Sequence, residues 1–524
     1  MNKFSIGLDF GTLSARAVLV DISNGDEIAE ATYNYPHGVI NKPVDFDLQH
    51  PADYVESLKF IIPDVLQKSG VAAEDVIGVG VDFTACTMLP VYKDGTPLCY
   101  NYTHQSNPHA YAKLWKHHAA EPYAILMNEI AIERNEPWLA RYGGKISSEW
   151  IFPKILETKS KAPEIYNEAD YFIETGDWLV WQLCGRQTRN SCCAGYKALW
   201  NKKDGYPSNE YFKAVGLDNI VSDKLDCPIT SLGTKAGEIT PEAAAMTGLK
   251  AGTAVSVAII DAHASLPALG VTQPGKLLLI MGTSGCHLVL SGEETIIPGI
   301  CGVVEDGMIP GYFGYEAGQA CMGDHFAWFV NNFGSNYAEM TQLASRLKPG
   351  ESGILALDWW NGNRSVLVDY DLTGMFIGMN LQTKPEELYR ALIEATAFGT
   401  RKIIDTFKEY NVFSDELYAA GGIAEKDPFI MQVYADVLGL DIKISGSPQS
   451  GALGSAIFGA VAAGYGDISE VSQKMCKLGN IVYRHNPENK KIYDQLYAEY
   501  EILHDYFGRG GNDVMKRLKN IRKI

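Results

Sequence analysis

The chain has 524 residues, of which 46% are hydrophobic and 21% charged, and its formal net charge is −18. That length exceeds one hydrophobic core and predicts two large lobes, and the composition excludes extended disorder. The acidic excess excludes a surface built to wrap nucleic acid or coat an anionic membrane, and it requires any polyanionic ligand to be held by backbone N–H groups, a metal ion and a few local cations.

The opening Met-Asn-Lys runs directly into an apparent strand, without the basic, apolar and small-residue regions of a secretory leader, so the cytoplasm is the expected location. Phe4–Asp9 has strand composition, Phe10-Gly11-Thr12-Leu13-Ser14 turns, and Ala15–Asp21 reads as a second strand. A third strand is predicted near Glu27–Tyr33, then a helix from about Pro51 and a strand at Val76–Asp82. Residues from Tyr100 to Asp226 are rich in Trp, Tyr, Asn and His and alternate weakly, as expected of insertions that carry specificity. Val257–Ile260 is an apolar strand ending at Asp261, and Val271-Thr-Gln-Pro-Gly275 has linker composition, dividing the chain into lobes 1–270 and 271–524.

Strand, Gly-Thr turn and strand then recur: Lys276–Ile280, Met281-Gly282-Thr283-Ser284-Gly285 and Cys286–Leu290. Two copies half a chain apart indicate related lobes around a cleft rather than a short-period solenoid. Thr383-Lys-Pro-Glu386 has capping-box spacing and predicts the start of a long helix. Glu416–Ala420 reads as a strand, Gly421-Gly422 as a turn and Pro428–Leu438 as a helix. The small, apolar run from Gly451 to Gly464 is too short for a bilayer and reads as a buried helix; Lys516-Arg517 through Arg522-Lys523 reads as a solvated helix end. The ten cysteines are scattered, and the adjacent pair Cys192-Cys193 has neither zinc-knuckle nor CxxC spacing, so reduced, mostly buried thiols are expected.

The chemistry concentrates in the turns. Glycine lets the backbone approach a phosphate, and Asp9 at a strand end is placed to hold Mg²⁺ through water. One such fragment is an ordinary hairpin; a second copy makes a pair able to clamp a triphosphate from both sides, with Gly11, Thr12 and Ser14 on one and Gly282, Thr283 and Ser284 on the other. This differs from the GxxxxGK[ST] loop, which the sequence lacks.

With these hairpins and Asp261, the chain resembles the FGGY carbohydrate kinases. The resemblance implies an α/β fold of two duplicated actin-like (ribonuclease H-like) ATPase lobes with an interlobe cleft and insertions in the N-terminal lobe. It implies transfer of phosphate from ATP, with Mg²⁺, to a sugar hydroxyl, and a catalytic Asp at Asp261. Such a carboxylate orients the hydroxyl and accepts its proton. Ala419-Ala-Gly421-Gly422 through Asp427 is similar to the family's adenosine-binding strand–Gly-Gly–helix segment, with Asp427 where the family commonly has Asn or Ser. Gly451-Ala-Leu-Gly454 matches a small-residue helix of the family, and close helix packing accounts for it equally well.

Three longer strings, Tyr142–Trp150, Ala194–Trp200 and Gly311–Gln319, are similar to the family's pentulose kinases, with L-ribulose the leading acceptor. By that resemblance Lys197 and Glu316 contact sugar hydroxyls or the ketone, Asp82–Ala85 touches the acceptor through Ala85, and Asp261 faces it. His117 replaces the Asp of the family's Trp-Lys-Asp-His string. His263 reads as a locally satisfied histidine. The expected partners are a pentulose and ATP, with a homodimer possible. The alternatives are an FGGY kinase acting on D-ribulose, ribitol, xylulose or glycerol, or a non-kinase actin-like ATPase.

Overall fold

The computed structural model describes residues 3–333, 336–413 and 415–522. The first sheet is built on β1 (Phe4–Phe10), β2 (Ser14–Asp21), β3 (Glu27–Asn34) and β4 (Val76–Phe83). β5 (Lys235–Glu238) and β6 (Ala254–Ser256) extend it, and β7 (Ile259–Ile260) also pairs with β4. β4 lies parallel to β1, which is antiparallel to β2, which is antiparallel to β3.

The second sheet repeats this plan. β8 (Lys276–Met281) and β9 (Gly285–Ser291) form its hairpin, β10 (Gly302–Glu305) and β11 (Phe313–Gln319) flank β9, and β12 (Glu416–Ala420), β13 (Ile442–Ser445) and β14 (Leu478–Tyr483) flank β8. Here β12 is parallel to β8, β8 antiparallel to β9, and β9 antiparallel to β11. The expected duplication is therefore present strand for strand, and each hairpin turns through three residues, 11–13 and 282–284.

The helices that position the site are α1 (Pro51–Ser69), α2 (Ser191–Lys197), α3 (Asp261–Ala268), α4 (Gly323–Phe333), α5 (Pro385–Glu409), α6 (Gly422–Lys426), α7 (Pro428–Leu438), α8 (Ser450–Ala462), α9 (Ile468–Met475) and α10 (Val514–Arg522). α5 begins one residue later than its capping box predicts. Glu387, not Glu386, accepts from the Lys384 N–H at 2.7 Å, and Thr383 Oγ1 instead accepts from the Asn380 N–H at 2.9 Å. Pro385 occupies the first turn, where its missing N–H costs nothing.

α8 is the buried helix expected near Gly451–Gly464, but it packs on the first sheet although it follows strands of the second. A Cβ on Gly7 would lie 1.7 Å from the Ala452 carbonyl oxygen, and one on Gly80 1.8 Å from that of Ser455. A Cβ on Gly454 would lie 1.6 Å from the Ala264 carbonyl oxygen of α3. Helix backbone thus rests directly on strand and helix backbone, so close packing explains these small residues. Ala452, Ile457 and Phe458 of α8 and Val471 and Met475 of α9 share one core with Ile6, Leu8, Val79 and Val81 of the first sheet.

The second sheet has its own core with α5 and α7. The aromatic-rich insertion builds a third around Trp138, Trp150, Phe152 and Tyr211. All ten cysteines are free; five are buried and five half-buried, fewer buried than expected. No helix among the described residues is long and apolar enough to cross a membrane. Lys523, the last residue of the basic run, lies outside the described residues; Lys516 and Lys519 of α10 pair with Asp369 at 2.6 Å and Asp371 at 2.8 Å, anchoring that helix to the second lobe.

Candidate active site

The two hairpins present their turns to one cleft. In each, the turn glycine donates its N–H back across the loop, Gly11 to the Ser14 carbonyl at 3.0 Å and Gly282 to the Ser284 carbonyl at 3.1 Å. Thr12 is fixed from outside by Gln49 Nε2, which donates to its carbonyl at 2.7 Å, and by the Trp115 indole N–H, 3.3 Å from its hydroxyl. The Thr283 carbonyl accepts from the Met322 N–H at 2.8 Å.

A cavity of about 410 Å³ between the lobes gathers most of the predicted residues. Asp9, Gly11 and Thr12 line it from the first hairpin, and Gly282, Thr283 and Ser284 from the second. Ala85, Lys197, Asp261 and Glu316 complete the wall. Ser14 lies behind, closing its hairpin through its carbonyl.

Asp9 and Asp82 are register partners on β1 and β4, and Asp82 is in turn opposite Ile259, so Asp261 follows immediately at the start of α3. Burial is the main cause that lifts all three carboxyls above the ordinary carboxylate range. Asp9 is drawn partly back by Arg16, 3.7 Å away, and its negative charge pushes the other two further up. Asp261 reaches about 7. Its Oδ1 accepts from the Ala262 N–H at 2.7 Å, and the side chain lines the cavity.

Asp82 is 0% exposed; one oxygen accepts from Ser455 of α8 at 2.6 Å, and the carboxyl also shares a hydrogen bond with Asp9. Two carboxyls side by side at the ends of β1 and β4 suit the water shell of a hard divalent cation. Among the described residues no three His, Cys, Asp or Glu side chains form a ready-made metal cluster.

At the other wall the Lys197 ammonium lies 3.0 and 3.1 Å from the two Glu316 oxygens, and His263 Nε2 lies 3.2 Å from Oε2. Burial disfavours both charges, but their mutual attraction prevails: the Lys197 pKa lies above its ordinary value and that of Glu316 below. Lys197 belongs to α2 of the first lobe and Glu316 to β11 of the second sheet, so this subsite spans the lobes.

Charged residues that no role was read for also line the cavity: Arg16, Arg364 and, within the Tyr142–Trp150 string, Glu149, which lies 3.7 Å from Arg364. His263 lines it as well and is bound to Glu316. His117, by contrast, is buried away from the cavity, 2.9 Å from Glu157, which also binds Lys113.

Gly421, Gly422 and Asp427 lie outside this cavity. Gly421 has φ 97° and its Cβ position is 2.6 Å from the Met281 carbonyl oxygen, so only glycine fits there. Asp427 is occupied as the N-cap of α7: one oxygen accepts from the Phe429 and Ile430 N–H groups, both at 3.1 Å, and the other from Thr341 at 3.0 Å. A larger cavity, about 710 Å³, adjoins over Thr283 and Ser284 and is bordered by Trp360, Tyr370 and α10; Asp9, Asp82 and Asp261 do not line it.

Models of the FGGY carbohydrate kinases match residues 4–267 with the N-terminal domain and 277–463 with the C-terminal domain. The chain is 56% identical to a ribulokinase of Bacillus licheniformis, with 98% of each chain covered. It is 46% identical to one of Mycolicibacterium smegmatis, covering 99% of this chain and 96% of that protein. Among solved structures, a xylulose kinase from Rhodospirillum rubrum shares the fold at TM-score 0.81 and 22% identity, covering 96% of this chain and 98% of that one. A Plasmodium falciparum glycerol kinase with ADP does so at 0.79 and 16%, with 97% and 98% covered.

Duplicated lobes around a carboxylate-lined cleft define the actin-like class of two-lobed sugar phosphotransferases. Within that class, the chain belongs to the FGGY family of carbohydrate kinases.

Proposed function

We propose that this kinase transfers the γ-phosphoryl group of ATP to the 5-hydroxyl of L-ribulose, giving ADP and L-ribulose 5-phosphate, a cytoplasmic step of L-arabinose catabolism. The observation that carries the reading is the position of Asp261, in one cavity with both Gly-Thr turns and the Lys197–Glu316 pair. The likeness to ribulokinases over nearly the whole chain supports the acceptor.

Lys197 donates to sugar oxygens and Glu316 accepts from sugar hydroxyls, while the Ala85 segment bounds the acceptor. A substrate lacking one hydroxyl would leave these buried groups unsatisfied, which is the source of discrimination. Asp261 accepts the proton as the sugar oxygen bonds to the γ-phosphorus and the bond to the β,γ-bridging oxygen breaks. The backbones at Thr12 and Thr283 face the charge on the transferring group. Asp9, with Asp82 behind it, would hold Mg²⁺ through water, and the ion when bound neutralises phosphate charge. The nucleotide runs from the turns toward Gly421 and Gly422, whose strand end meets the second hairpin; Asp427 supports that platform as a helix cap rather than as a free carboxylate.

We assign residues 1–270 the first hairpin and most of the sugar subsite, and residues 271–524 the second hairpin, Glu316 and the adenosine platform. A homodimer is the proposed assembly, which sedimentation of the purified protein reports directly. The deciding experiment measures ADP release with L-ribulose, D-ribulose, ribitol, xylulose and glycerol and compares kcat/KM. L-ribulose is expected to lead, with D-ribulose and ribitol slower; equal or greater preference for xylulose or glycerol overturns the assignment.

A further inference from the structure

Glu316 is held by more than its lysine. Its Oε2 also meets His263 Nε2 at 3.2 Å, and the opposite ring nitrogen, Nδ1, lies 3.0 Å from the thiol of Cys192. All three side chains are buried, and the Tyr196 ring packs against the imidazole in a T-shaped contact, 4.7 Å between centroids. Tyr196 is itself fixed, its hydroxyl donating to the Gly314 carbonyl at 2.6 Å.

With the imidazole neutral, one arrangement of protons satisfies this chain of contacts. An ionised Glu316 can only accept, so His263 carries its proton on Nε2; a neutral imidazole then accepts at Nδ1, and the Cys192 thiol donates there. Burial favours these neutral forms, holding the imidazole pKa below its ordinary value and the thiol well above its own.

The placement has a mechanical meaning. Cys192 and Lys197 share α2, His263 stands two residues after Asp261 on α3, and Glu316 is on the second sheet. An ammonium on four rotatable bonds does not by itself fix the plane of a carboxylate, whereas a second donor on a rigid ring does.

We propose that His263 is a positioning residue of the sugar subsite, donating from Nε2 to Glu316 and accepting at Nδ1 from the Cys192 thiol, so that the carboxylate paired with Lys197 is held in one orientation. This rests on reading Lys197 and Glu316 as the sugar contacts.

The test compares His263→Leu, which removes the donor, with His263→Gln, whose amide nitrogen reaches the position of Nε2. In His263→Leu the sugar KM should rise about 10–100-fold, the span of one hydrogen bond to a charged group, while the ATP KM stays within about twofold. His263→Gln should recover most of the loss. Nitrogen NMR of the unsubstituted protein should show the Nε2–H tautomer, with an Nδ1 signal that shifts in Cys192→Ala and is retained in Cys192→Ser. An unchanged sugar KM in His263→Leu, no recovery in His263→Gln, or an Nδ1–H tautomer overturns the proposal; the NMR readout needs no variant to fold. Glu316→Gln separates the two claims: if it leaves the sugar KM unchanged, the sugar-subsite reading itself fails, and if it raises KM while His263→Leu does not, only the role of His263 fails.

Discussion

Asp261 sits where two demands conflict. A base must be ionised to take a proton, yet burial and the neighbouring Asp9 push its pKa up to about 7. For the free enzyme kcat/KM for the sugar should therefore fall about tenfold per pH unit below about pH 7 and level off above it. Replacing Asp261 by Ala should reduce kcat about 10²–10⁴-fold with little change in ATP affinity, as measured by ADP release and nucleotide titration; near-normal turnover would remove Asp261 from the mechanism. The same shift bears on stability. Between its unfolded pKa and about 7 the folded chain holds the Asp261 proton more tightly than the unfolded chain does, so folding weakens as pH rises through that window. Asp261→Asn should then raise Tm by about 1–3 °C at pH 8 and leave it nearly unchanged near pH 4. A loss of stability at pH 8 would mean that the carboxylate is compensated in the folded state.

Among the elements, α8 carries the tightest packing around the site. Its backbone lies against Gly7 and Gly80 of the first sheet and against Ala264 of α3, and Ser455 reaches the buried Asp82 from it. Gly454→Ala forces the Cβ into the Ala264 carbonyl and should cost about 3 kcal/mol, seen as a lower midpoint in urea. A change below about 0.5 kcal/mol would show that α3 and α8 can separate freely. The hairpins were legible in the sequence because strand composition and a Gly-Thr turn are local signals, and so was α7, opened by Asp427 and Pro428. What eluded it was pairing at long range: Lys197 and Glu316 were singled out through family strings, but their mutual contact across 119 residues was not. Nor was the ion pair of Glu149 with Arg364, a residue in no motif. Asp427 shows the converse, a residue whose position suggests a ligand while its atoms serve as a helix cap.

For the molecule as a whole, the two lobes are joined by more than the linker at 271–275. The chain passes into the second sheet at Lys276, returns after Ser445 to place α8 and α9 on the first, and leaves again to rejoin the second as β14 from Leu478. A fragment of residues 1–270 should therefore be insoluble, with the glycine faces of β1 and β4 uncovered, and attaching residues 446–475 through a flexible linker should restore solubility and helical circular dichroism. Equal solubility of the two fragments would show that the first sheet does not need its late-arriving helix.

That itinerary makes the cleft behave like a door hung on several pins rather than one. Swinging about the first linker alone would tear α8 from its seat, so the lobes can turn only about a line close to all the crossings. Ser455 and Asp82 both pack within the first lobe and should stay engaged throughout, while the hairpin turns at Thr12 and Thr283 belong to opposite lobes and close on the phosphates together.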